Sequence, residues 1–124
     1  SSDLMDLKIS HNIQNIALDN GALNNEREND KIDKKRVWWV EAESVVGFIN
    51  AYQHSGEKKF LESARSVWEY IKAEMIDKRE GSEWYAEVSY DHKPHDWKEI
   101  VGPWKCPYHN GRMCMEVINR GVDF

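Results

Sequence analysis

The stretch GPWKCPYHNGR, from Gly102 to Arg112, sets a tryptophan, a thiol, a tyrosine and an imidazole close together beside Pro103 and Pro107. Prolines forbid regular structure across such a segment, so it is either a plug that closes a domain or the wall of a site. His109 is the residue with the clearest chemistry. It falls in the first turn of the helix predicted to follow, where the partial positive charge disfavours the imidazolium. A neutral imidazole near physiological pH is what a general base needs. The alternative for His109 is a histidine hydrogen-bonded inside a helix packing.

A second group lies upstream in Trp38, Trp39 and Glu43. Successive helical residues point about 100° apart, so Trp38 joins a buried stripe while Trp39 lies over Glu43 on a neighbouring face. An indole beside a carboxylate suits a sugar: the ring packs on C–H faces and the acid accepts from hydroxyls. The plainer alternative is a core tryptophan next to a solvated or arginine-paired glutamate. Cys106, His109 and Cys114, with His92 and His95 upstream, raise a metal site, but C-x2-H-x4-C is not a zinc pattern. No metal is expected, and both cysteines read as small buried hydrophobes. Trp68 and Trp84 read as packing residues.

These residues must be positioned by helices. Met5, Ile9, Ile13 and Ile16 recur on one helical face, and Asp19-Asn20-Gly21 is expected to stop that helix. Residues 24–36 are polar and aperiodic, which predicts a surface loop. A second helix is predicted from Val37 to Gln53, with Trp38, Ala42, Val45, Ile49 and Tyr52 as its stripe. A break at His54-Ser55-Gly56 leads into a third helix over Glu57–Ile76, buried along Phe60, Ala64, Val67, Ile71 and Met75. So short a connection requires the two helices to pack antiparallel. EWYAEVSYD alternates weakly and predicts a short β-hairpin. A last helix runs from Pro107 or Tyr108 to Asn119, with Gly121 just beyond it.

Composition narrows the function classes. With 124 residues the chain reads as a single domain, 1–124, and a net charge of −5 excludes a nucleic-acid footprint. No apolar run approaches the ~18 residues of a membrane span, and no signal peptide opens the chain. Two cysteines argue against a disulfide framework and suggest a reducing, cytoplasmic setting. The six tryptophans are far above ordinary usage and imply aromatic packing or platforms for ring-shaped ligands.

RVWWVEAE (36–43), GEKKFLESARSVWEYI, DKREGSEWY and GPWKCPYHNGRMC (102–114) together resemble the closing part of cellobiose 2-epimerases, in the N-acylglucosamine 2-epimerase superfamily. The order and separation of all four segments match, so the resemblance covers nearly the whole chain. It implies an all-α fold, the C-terminal part of an (α/α)6 barrel built from antiparallel helix hairpins with a short β-hairpin insertion. It also implies a cofactor-free reaction on an oligosaccharide. The reducing-end glucose opens, one histidine takes the C2 proton to give an enediolate, and a second returns a proton to the other face. By the same resemblance His109 is the second acid/base histidine. Trp104 and Trp39 become the aromatic walls of the sugar site, and Glu43 the carboxylate that holds hydroxyls.

Two departures stand out. Where the family often has Gln, this chain has Glu41, whose side chain is expected to face away from Glu43 with little effect. The family's GH-x-x-E-x-x-W segment, source of the first histidine, does not occur in the 124 residues. The chain therefore reads as a C-terminal fragment, and its first and last helices are expected to expose apolar sides and to self-associate. Readings kept beside the cellobiose one are a relative acting on N-acylglucosamine or mannose, and a helical interaction module without chemistry.

Overall fold

The computed structural model describes residues 2–80, 83–94 and 108–123. Four helices carry the fold: α1 (Ser2–Ile16), α2 (Trp38–Ser55), α3 (Lys58–Tyr70) and α4 (Tyr108–Asn119). A π-helical segment, Ile71–Met75, extends α3. Three two-stranded antiparallel pairs join them: β1 (Leu18–Asp19) with β2 (Ala22–Leu23), β3 (Glu26–Glu28) with β4 (Lys31–Asp33), and β5 (Arg36–Val37) with β6 (Glu87–Val88).

Helix α2 is the hub, packing against α1, α3 and α4. Its Ala42, Val45 and Ile49 are fully buried, as the spacing requires, and Val46, Phe48 and Ala51 are buried too. A helix walled on three sides buries more than one stripe. Gly56 ends α2 at φ 73°, with its N–H donating to the Tyr52 carbonyl at 2.7 Å. Glycine adopts that left-handed conformation without the Cβ clash. The chain then folds back, and Phe60, Ala64, Val67, Ile71 and Met75 of the third helical run are all fully buried, as expected from their spacing. The Phe48 and Phe60 rings stack across the α2–α3 seam at 6.5 Å.

Several local expectations are corrected. Helix α1 ends at Ile16, and Asn20-Gly21 is a hairpin turn between β1 and β2 rather than the helix stop. Both residues do have positive φ, 52° and 87°, which is what a two-residue hairpin with the right-handed strand twist demands. Ile13 faces the core together with Leu7, whereas Ile9 and Ile16 are exposed. Residues 24–36 are not a bare loop. They hold the β3–β4 hairpin, turning at Asn29 with φ 53°, and strand β5. The 83–91 stretch turns back locally at its end, where Val88 bridges antiparallel to Pro94 and the Ser89 N–H donates to the Lys93 carbonyl at 2.9 Å. Its strand Glu87–Val88 otherwise joins Arg36–Val37, and Trp84 bridges back to Ile76. Cys114 is exposed, not buried, while Trp84 is buried.

Two charged side chains are sealed where strands meet helices. The Arg36 guanidinium donates to the Asn24 side chain and the Asp19 carbonyl, both at 2.6 Å. It lies 5.9 Å from the Tyr70 ring and 5.1 Å from the Tyr90 ring. Arg36 precedes α2 and Tyr70 ends α3, so this contact requires the two helices to run antiparallel. Glu41 is 0% exposed and accepts the Leu23 N–H at 2.5 Å, tying β2 to the first turn of α2. Burial raises its carboxyl to about 8, against the lowering effects of the Leu23 N–H and of Arg36. Glu41 thus does not share the partners of Glu43, as expected, and its side chain lies in the interior rather than at the surface.

A carboxyl whose folded pKa lies above its unfolded value holds extra protons in the native state, so stability falls as pH rises between the two values. Here that window runs from the ordinary 4.5 to about 8. Gln keeps an acceptor for Leu23 and cannot ionise. Glu41→Gln should thus leave the urea midpoint nearly unchanged at pH 5 and raise stability by about 1 kcal/mol or more at pH 8.5.

Candidate active site

Helices α2 and α4 bring His109 and Glu43 together. Glu43 lies one turn beyond Trp39, and His109 is the second residue of α4. The His109 Nδ1 is 2.9 Å from Glu43 Oε1, and Arg112 Nη1 donates to Glu43 Oε2 at 2.5 Å. One carboxylate from α2 thus holds two residues of α4, spaced three apart and so on one face. A carboxylate can only accept, so the hydrogen in this contact sits on Nδ1. In the neutral ring that leaves Nε2 with the free lone pair.

Aromatic rings surround the imidazole. The Trp39 centroid is 5.9 Å from that of His109, Trp38 is at 6.4 Å edge-on, and Tyr108 at 5.2 Å edge-on. Trp38 is half-buried against the core, as its place in the stripe requires. Trp39 is 44% exposed, so part of its ring is open to solvent beside His109. Both Glu43 and His109 keep about a third of their side-chain surface open, 33% each. The imidazole is therefore reachable and braced at once.

Beside this cluster a groove of about 300 Å³ runs between α1 and α2, with Trp39, Glu43 and Gly47 along one side and Ile13 on the other. A second groove of about 430 Å³ shares Glu43 and Gly47 and reaches Arg112. Gly47 has nothing within 4 Å of where a Cβ would stand, so its small size leaves open space in both grooves.

Of the expected site residues, His109, Glu43 and Trp39 converge. Trp104 lies outside the described residues, as do Cys106 and His95. Among the described residues, no three His, Cys, Asp or Glu side chains are grouped as metal ligands. No helix among them is long and apolar enough to cross a membrane. Arg112 escaped the sequence reading. Its signal was present in H-N-G-R, three residues after His109 on the same face, but nothing in the spacing alone pairs it with Glu43.

Comparison with known proteins identifies the family. The family model described as N-acylglucosamine 2-epimerase (GlcNAc 2-epimerase) matches residues 7–111. The chain belongs to this family. It is 79% identical over 119 residues to a cellobiose 2-epimerase of Ruminococcus albus, a match covering 96% of this chain and 31% of that protein. A solved sugar epimerase from a ruminal bacterium superposes with a TM-score of 0.96 at 77% identity, over 98% of this chain and 31% of the other. The cellobiose 2-epimerase structure from Bacillus thermoamylovorans B4167 gives a TM-score of 0.88 at 50% identity, over 92% of this chain and 29% of the other. The chain thus spans about 31% of the length of the relatives it matches best among these.

The Glu43 cluster is open to solvent on one side. Glu43→Ala should lower unfolding free energy by about 1 kcal/mol or less, because solvent screens its ion pair. Ile49→Ala, in the fully buried α2 seam, should cost about 2–5 kcal/mol. Paired urea titrations of the two variants compare the effects directly.

Proposed function

We propose that this chain supplies one half of the acid/base machinery of a sugar 2-epimerase, and that the intact protein inverts C2 at the reducing-end glucose of β-1,4-linked disaccharides such as cellobiose. The observation that carries this is the 2.9 Å contact from His109 Nδ1 to Glu43, which leaves Nε2 as an accessible base. The high identity to cellobiose 2-epimerases supports the choice of sugar. The sealed-ring architecture expected for the intact protein is an (α/α)6 barrel, of which the paired helices here form part.

In this reading the sugar opens to its aldehyde, and the C1 carbonyl acidifies the C2 proton. Removing that proton leaves an enediolate, planar at C2, and a proton delivered from the opposite side gives the epimer. Inversion needs acid/base groups on both faces, because a single base returns the proton where it came from. His109 serves one face and a histidine from outside this chain the other. Leaving from the glucose-type sugar, His109 acts as the acid; leaving from the mannose-type product, it is the base. Neither direction calls for a cofactor. Trp39 offers its open indole to the C–H face of the ring. Glu43 orients His109, and lone pairs not used by His109 and Arg112 remain for sugar hydroxyls. By the resemblance alone, Trp104, which lies outside the described residues, is assigned the second aromatic wall.

His109→Ala in the intact enzyme should reduce deuterium exchange at C2 of the mannose-ended disaccharide by at least ~10²-fold, and epimer formation with it. Binding of cellobiose, measured by calorimetry, should stay largely in place. Retained exchange would remove His109 from the mechanism.

We also propose that the isolated chain self-associates. Ile9 and Ile16 on α1, and Met115 and Ile118 on α4, are exposed apolar side chains, with Ile118 at 76%. Both outer flanks of the helix set therefore present apolar surface, which drives association. Sedimentation velocity at tens of micromolar should show species larger than 14.6 kDa, and a monodisperse monomer would count against it.

A further inference from the structure

We infer that Arg112 is a positioning residue for the acid/base histidine, acting through Glu43 to hold the imidazole in place and to balance the carboxylate's charge. The inference rests on the epimerase reading of His109. Three side chains form an unbroken chain, Arg112 Nη1 to Glu43 Oε2 at 2.5 Å and Glu43 Oε1 to His109 Nδ1 at 2.9 Å. The two outer members stand three residues apart on α4, and the bridging carboxylate comes from α2.

Geometry and charge each give Arg112 a task. A glutamate carboxylate held at only one oxygen swings about its last torsion, which is broad. Held at both oxygens, its plane is fixed, and so is the direction in which it points the His109 ring. The second task is electrostatic. An acid/base group must pass its proton both ways, so neither protonation state can be strongly favoured. A lone carboxylate against Nδ1 favours the imidazolium. The guanidinium on the carboxylate's other oxygen opposes that preference. The Arg112 guanidinium is always charged, so it faces the carboxylate as a fixed positive charge. Among the described residues, the ionisable side chains placed against the His109 ring are Glu43 from α2 and Tyr108 from α4 itself. Trp38 and Trp39 complete its surroundings and carry no charge.

The test is the pH profile of C2 deuterium exchange from the mannose-ended disaccharide in the intact enzyme, the direction in which His109 is the base. Arg112→Met should lower the plateau and move the acid limb to higher pH by about one unit, since the carboxylate then stabilises the imidazolium unopposed. Arg112→Lys restores a positive charge without the planar fork. Its limb should lie back near that of the parent while its plateau stays reduced. An unmoved limb in Arg112→Met overturns the inference, whether the plateau falls or not, because a purely structural role lowers all rates alike. Equal urea midpoints for the two variants ensure that the comparison is between folded proteins. Failure of the epimerase reading is separate: it is seen when His109→Ala keeps its exchange, whatever Arg112 does.

Discussion

Burial of α2 against three helices at once is the constraint from which the rest of the structure follows. Its apolar positions are occupied by α1, α3 and α4 in different directions, so the helix cannot rotate about its axis without breaking several seams together. Fixing that rotation fixes where the non-core residues of its first turns point. Trp39 and Glu43 are carried to the margin of the α2–α4 seam, where they meet His109. The site is thus a by-product of core packing at one edge. A side chain placed by a close-packed interior is held far more tightly than one on a loop.

What could be read from the sequence divides along the same line. The stripes of α2 and α3 were legible because burial repeats with helical period: Ala42, Val45 and Ile49, then Phe60, Ala64, Val67 and Ile71, all lie in the core. The end of α2 at Gly56 was legible because the left-handed conformation there selects glycine. The same chemistry misled at Asn20-Gly21, since positive φ marks both helix ends and hairpin turns and the residues alone do not say which. The strand pairs were missed for a different reason. Arg36–Val37 pairs with Glu87–Val88 across fifty residues of chain, and two-residue strands have too few positions to show alternation. Ile9 and Ile16 followed the helical period yet ended exposed, because periodicity identifies a face and not its neighbour.

The candidate site was legible by residue type more than by spacing. His109, Glu43 and Trp39 were nominated from local chemistry and resemblance, and the fold brings these three together. Arg112 was not nominated, because its importance lies in a partner on another helix. Glu41 faces away from Glu43, and the far side of a three-walled helix is interior. There the carboxyl meets the Leu23 N–H and the field of Arg36. Those two interactions do not offset its desolvation, and the neutral acid is what the fold accommodates near neutrality.

The two glutamates, two residues apart on one helix, stand in contrasting surroundings. Glu41 is sealed, touches one backbone N–H and holds its proton up to about pH 8. Glu43 is a third open and bound at both oxygens by donors that carry or can carry positive charge. Water lies on one side of it and a guanidinium on the other. Sequence places the two in the same motif, but the rotation of α2 decides which one faces His109. That rotation is set by the apolar side chains of the core. The precision of the polar cluster is therefore inherited from the core, and the Arg112–Glu43–His109 chain refines an alignment already made by Val45, Ile49 and their neighbours.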